Sequence, residues 1–105
     1  KYHLRMIRHI VMFKLKDFNI ESEKMAAAAL VKKRLDELPS MINVIRHYEA
    51  GIDIRRLNWS FDIVLTMDFD TMADLEAYII HPEHKNFIEF NKDYTAEKVC
   101  IDYEI

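Results

Sequence analysis

The stretch Trp59-Ser60-Phe61-Asp62-Ile63-Val64-Leu65-Thr66-Met67-Asp68-Phe69 alternates with a period of two. Phe61, Ile63, Leu65, Met67 and Phe69 fall on one side, against Asp62, Val64, Thr66 and Asp68 on the other. Successive side chains of an extended chain point to opposite faces, so the pattern predicts a half-buried strand over residues 59–69. Thr71-Met72-Ala73-Asp74 follows at once, matches the capping-box pattern and opens a short helix to about residue 80. Pro82 has no N–H to donate and disfavours helix at His81, so that helix breaks there and a new one runs from 82 to 93. The chain closes with a strand over 96–104, in which Val99, Ile101 and Tyr103 share a face.

Working back from residue 59, the polar run Asp53-Ile54-Arg55-Arg56-Leu57-Asn58 reads as a loop, preceded by a strand over 41–52 with Ile42, Val44, Arg46 and Tyr48 on one face. Residues 22–38 carry Ala27, Ala28, Val31, Leu35 and Leu38 at helical spacing. Ser22 can cap this helix, Glu23 suits its first turn and Pro39 stops it. Residues 6–16 alternate again, with Ile7, His9, Val11, Phe13 and Leu15 opposite Arg8, Ile10, Met12 and Lys14.

The order β-α-β, β-α-α-β predicts an α+β fold of the ferredoxin-like type, an antiparallel four-stranded sheet with helices on one face. The opposite face mixes Ile10, Met12, Ile45, Val64 and Cys100 with Arg8, His47, Asp62 and Asp102. Such a face is ill suited to water, and a second copy packed sheet to sheet would cover it. The expected partner is therefore the chain itself, as a homodimer.

Composition narrows the function classes. The chain has 105 residues, is 50% apolar and carries a formal net charge of −3, which fits one small folded domain. One glycine excludes a phosphate-cradling Gly-rich loop, and one cysteine, Cys100, excludes an internal disulfide and a cysteine zinc site. Mild acidity argues against a nucleic-acid partner. No run approaches the length of a membrane span, and no secretory signal stands out, so the cytoplasm is the expected address. Met6 looks like a natural start; residues 1–5 then read as an added remnant or an unstructured lead, which removes His3 from any functional argument, and residues 6–105 form the domain.

The segment Tyr78-Ile79-Ile80-His81-Pro82-Glu83-His84 puts a phenol and two imidazoles around a helix break. His84 lies in the first turn of the second helix, where the positive end of the dipole disfavours its protonation and favours a neutral imidazole able to accept a proton. His84, Phe87, Ile88 and Asn91 follow i, i+3, i+4, i+7, which turns His84 toward the sheet. His9 points to the same side from the first strand, so His9, Tyr78 and His84 are expected around one apolar pocket. Each also has a plainer reading: His9 as a core histidine, Tyr78 as an amphipathic helix-edge residue, His81 and Glu83 as turn residues. A zinc site from His9, His81 and His84 is disfavoured, because the residue before a proline is extended and takes His81 off the helical face. Cys100 is expected on the dimer face as an inert thiol. Asp62, Asp68 and Asp102 are expected on the solvent or dimer side.

Met-Ile-Arg-His-Ile-Val-Met-Phe-Lys-Leu-Lys at 6–16, the Phe-Asp pair at 69–70, Ala77-Tyr78 through His81-Pro82-Glu83-His84, and Val99-Cys100-Ile101-Asp102-Tyr103 together resemble the stress-responsive A/B barrel domain family. The resemblance covers the chain from Met6 and implies a dimeric α/β barrel; most members of that family have no assigned activity. One plant member is a polyketide cyclase that closes a ring by intramolecular aldol chemistry without metal or cofactor. By that resemblance His84 would be the general base, Tyr78 would hold or polarise a carbonyl or thioester oxygen, and His9 would complete the polar wall. The first reading is a homodimeric domain of unassigned role that binds a small apolar ligand. The second is a cofactor-free acid/base enzyme of the cyclase type, using His84 and Tyr78. The third is a relative of haem- or quinone-acting monooxygenases, for which no local axial ligand stands out. No cofactor and no metal are expected.

Overall fold

The computed structural model describes residues 5–105. The expectation for residues 1–5 falls almost wholly outside them, and His3 with it. Seven elements follow in order: β1 (Ile7–Leu15), α1 (Glu21–Met41), β2 (His47–Ile52), β3 (Ile63–Phe69), α2 (Met72–Ile79), α3 (Pro82–Asn91) and β4 (Thr95–Glu104). The strands form one sheet in the order β2-β3-β1-β4 with every neighbouring pair antiparallel. The α+β, ferredoxin-like architecture is the one the alternation predicts.

The core lies between sheet and helices. β1 buries Ile7, His9, Val11, Phe13 and Leu15, and β3 buries Ile63, Leu65, Met67 and Phe69. Against them α1 presents Ala27, Ala28, Val31, Leu35 and Leu38, all buried. The two alanines have no bulk to hold the helix off, so the backbones approach closely and the larger side chains beyond them interlock.

Four boundaries differ notably from expectation. Ser22 does not cap α1: the helix starts one residue earlier, on Ile20, with no side-chain cap. Pro39 does not stop it either but sits inside, and the helix continues to Met41. A proline there forfeits one hydrogen bond. The last turn is held instead by Leu38 and Ile42, both 1% exposed, and by the Ile42 N–H donating to the Leu38 carbonyl at 3.0 Å. Consequently β2 begins at His47, not at residue 41, and Val44 and Ile45 both pack against the core. β3 begins at Ile63, because residues 57–60 close a turn through Ser60 N–H and the Leu57 carbonyl, leaving Trp59 exposed.

Asp62 is the largest correction at that end. It was expected toward solvent or a dimer partner, yet it is 3% exposed. Its carboxylate accepts from the Leu15 N–H at 2.7 Å and from the Arg56 guanidinium at 3.0 Å, with the Lys24 ammonium at 3.8 Å. A buried carboxylate needs such partners, and this one ties β1, α1 and the 53–60 loop together. Arg56 holds a left-handed backbone (φ 58°), and its N–H donates to the Asp53 carboxylate at 2.7 Å, a local bond that offsets the steric cost for a residue with a Cβ.

β4 is turned over relative to expectation. Residues directly opposite in an antiparallel ladder share a face. The register pairs His9 with Asp102, Val11 with Cys100 and Phe13 with Lys98, so Lys98, Cys100 and Asp102 stand on the helix side. Val99, Ile101 and Tyr103 stand on the open side, opposite Met12, Ile10 and Arg8. The core is complete without β4, whose residues beyond Tyr94 and Thr95 are exposed. Either set of β4 side chains could therefore have faced the helices, and pairing with β1 decides which does.

Candidate functional site

β1, α2 and α3 bring His9, Tyr78 and His84 together. The ring centroids of Tyr78 and His84 lie 4.4 Å apart, and those of His9 and Tyr78 6.0 Å apart. Phe69 stands behind them, 5.3 Å from Tyr78 and 6.5 Å from His9. The three expected site residues thus form one row on the helix-facing side of the sheet.

The helix break sets the posture of His84. α2 begins as predicted, with Thr71 Oγ1 accepting from the Asp74 N–H at 3.1 Å. It ends at Ile79, whose carbonyl, like the last carbonyls of any helix, lacks an intrahelical donor. The backbone N–H of Glu83 is taken by the His81 ring, which caps α3 through Nδ1 at 3.0 Å. His84 Nδ1 donates to the Ile79 carbonyl at 2.9 Å instead. A neutral imidazole that donates from Nδ1 keeps an unprotonated Nε2. Burial lowers the His84 pKa; the Ile79 carbonyl opposes this, and the charges of Lys98, His9 and His81 add to it. The neutral state was expected from the helix dipole; burial is its leading cause.

Tyr78 is 1% exposed, and burial pushes its phenol well above the ordinary value, so it stays protonated and can donate. Its hydroxyl has no hydrogen-bond partner among the described residues, where no fully enclosed side-chain nitrogen or oxygen is left unpaired. The hydroxyl therefore opens onto the adjoining cavity. His9 Nδ1 donates to the Asp102 carboxylate at 2.5 Å, which fixes the ring and its tautomer. Asp102 was expected on the other face. Its membership here is the residue that reading the sequence missed, and only the β1–β4 register could have revealed it.

These groups border a cavity of about 540 Å³, open to solvent on one side. Val11, Phe13, Leu65, Phe87 and Ile88 give it an apolar lining, and Asn91 is held on its wall by a hydrogen bond from Thr95 Oγ1 at 2.9 Å. The predicted stripe His84, Phe87, Ile88, Asn91 lines it in full. Cys100 lines it too, which corrects its expected place on the dimer face. His81, engaged as a cap, does not. A volume of this order with few polar groups matches small-molecule sites, which run from about 300 to 1,000 Å³. The arrangement can accept a proton at His84 Nε2 and donate a hydrogen bond from Tyr78 to an oxygen beside it.

Comparison with known proteins gives concordant results. A solved dimeric protein of unknown function and ferredoxin-like fold from Bacteroides fragilis superposes with a TM-score of 0.84 at 33% identity, covering 95% of this chain and 96% of that one. The stress-response A/B barrel domain-containing protein DABB1 of Arabidopsis thaliana is 26% identical over 93% of this chain, which spans only 46% of that protein's length. Olivetolic acid cyclase of Cannabis sativa is 20% identical, covering 92% of this chain and 94% of that protein. The model of the stress responsive A/B barrel domain matches residues 7–105, and the chain belongs to that family.

Proposed function

We propose that the protein is a self-associating A/B barrel domain whose cavity binds a small, largely apolar ligand bearing a carbonyl group. The observation that carries this is the pairing of a Tyr78 hydroxyl, without a partner among the described residues, with a neutral His84 on the wall of an open apolar cavity. The Tyr78 hydroxyl has no acceptor among the described residues, and a ligand carbonyl oxygen would supply one. Self-association is supported by the open sheet face, where Met12, Val64, Val99, Ile101 and Tyr103 are each at least 37% exposed and lie on adjacent strands. The dimeric Bacteroides fragilis protein supports it as well.

A second reading is favoured by the tautomer of His84. With Nδ1 held by Ile79, Nε2 can remove a proton from the carbon next to the ligand carbonyl, while the Tyr78 hydroxyl donates to the oxygen on which negative charge develops. The Asp102-bound His9 would complete the polar wall. This is acid/base chemistry that needs no cofactor, and the 20% identity to a protein named olivetolic acid cyclase is in keeping with it. Thermal-shift screening with β-keto thioesters tests both readings. Ligands that stabilise the wild type but not Tyr78→Phe or His84→Ala support the site. Ligands that shift none of the three, or all of them alike, refute it.

A further inference from the structure

Resting on the cavity as a ligand site, we propose that its ligand is an anion: an apolar molecule with a carboxylate that pairs with Lys98, its carbonyl a few bonds away against Tyr78 and His84. Lys98 stands opposite Phe13 in the ladder, on the helix side of β4, and lines the cavity. The other lysine on the lining, Lys92, is paired with Glu89 at 2.8 Å. Lys98 has no carboxylate within ion-pair distance among the described residues, and it projects beside an apolar wall made by Phe13, Phe87 and Ile88. The nearest carboxylate on its own face of β4 is Asp102, four residues along the strand (about 13 Å) and bonded to His9. Glu97, next in sequence, also borders the cavity but stands across from Lys14 in the ladder, on the face of β4 opposite to that of Lys98.

The cavity thus has a cation at the Phe13 rung, a committed His–Asp pair at the His9 rung, and the base and phenol on the same lining. An ammonium at the edge of an apolar space attracts an opposite charge seated in that space more strongly than one in open water. Its field reaches His84, disfavouring the imidazolium, so the two groups bear on one volume.

The test titrates 4-oxononanoate, its methyl ester and octyl phosphate calorimetrically, at low salt, into wild type, Lys98→Ala and Lys98→Arg. Lys98 is exposed, so both variants should keep the wild-type melting temperature. The acid should bind wild type about tenfold more tightly than the ester, as one charge-assisted hydrogen bond allows. Lys98→Ala should bring the acid to the level of the ester without altering the ester, and Lys98→Arg should keep most of the preference. Equal binding of acid and ester to wild type, or an equal loss of both in Lys98→Ala, would overturn the assignment of Lys98 and leave the cavity reading standing. Octyl phosphate binding more tightly than the acid would replace carboxylate by phosphate as the partner. Failure of every probe to bind would refute the cavity reading itself.

Discussion

The His84 imidazole and the Ile79 carbonyl, 2.9 Å apart, join the end of one helix to the start of the next. The contact settles a helix end that would otherwise want a donor, and it turns the other ring nitrogen into a free base. Structure and candidate chemistry therefore share one hydrogen bond. The two can be separated by substitution.

His84→Asn should do so. The asparagine amide can donate to Ile79 much as Nδ1 does, so the melting temperature should stay within a few degrees of wild type, while any proton transfer by the cavity falls by about 10²-fold or more. His84→Ala loses both and should melt lower. An asparagine variant with full activity would remove His84 from the chemistry.

The lowered His84 pKa has a defined consequence for pH. The unfolded chain protonates His84 near its ordinary 6.5, the folded chain only below that. Stability from this residue is therefore fully present above about pH 6.5 and is lost as pH falls through the folded value. Proton acceptance by Nε2 should be lost over the same descent. The Cε1 proton of His84, followed by NMR, should titrate below pH 6.5; a midpoint above it would contradict the burial argument.

Tyr78→Phe should be nearly silent for folding. The ring is buried but the hydroxyl has no protein partner among the described residues, so its removal should change unfolding free energy by no more than about 0.5–1 kcal/mol in urea. Ligand-induced stabilisation should drop sharply. A large loss of stability would mean that the hydroxyl is satisfied within the protein.

Asp62→Ala removes the carboxylate that Leu15, Arg56 and Lys24 surround and should destabilise the fold by about 3 kcal/mol, measured by urea unfolding. A change under about 1 kcal/mol would show that the loop and α1 are held by other contacts.

Self-association through the open sheet face predicts that Met12→Glu with Val64→Glu, or Val99→Lys with Ile101→Lys, gives a monomer in sedimentation. Cys100→Ser, on the cavity side, should leave the mass unaltered. If the paired substitutions also leave it unaltered, the chain associates through another surface or not at all.

Much of this molecule is legible in its amino-acid order, because burial writes a period into the chain. The alternation at 7–15 and 63–69, the helical spacing from Ala27 to Leu38 and the Thr71 cap each depend on neighbours a few residues away, and so does the break at Pro82 that sets up His84. Convergence of His9, Tyr78 and His84 follows from the same periods once the topology is granted. Pro39 escaped that logic, since a local rule against proline is outweighed by burial of Leu38 and Ile42. Lys98, Cys100 and Asp102 escaped it for a different reason. On an edge strand that no helix covers, alternation says only that odd and even residues part company. Which set meets the cavity is decided by hydrogen-bond register with a strand some ninety residues earlier (Phe13 with Lys98, His9 with Asp102), and a shift of one residue would exchange the two faces entirely.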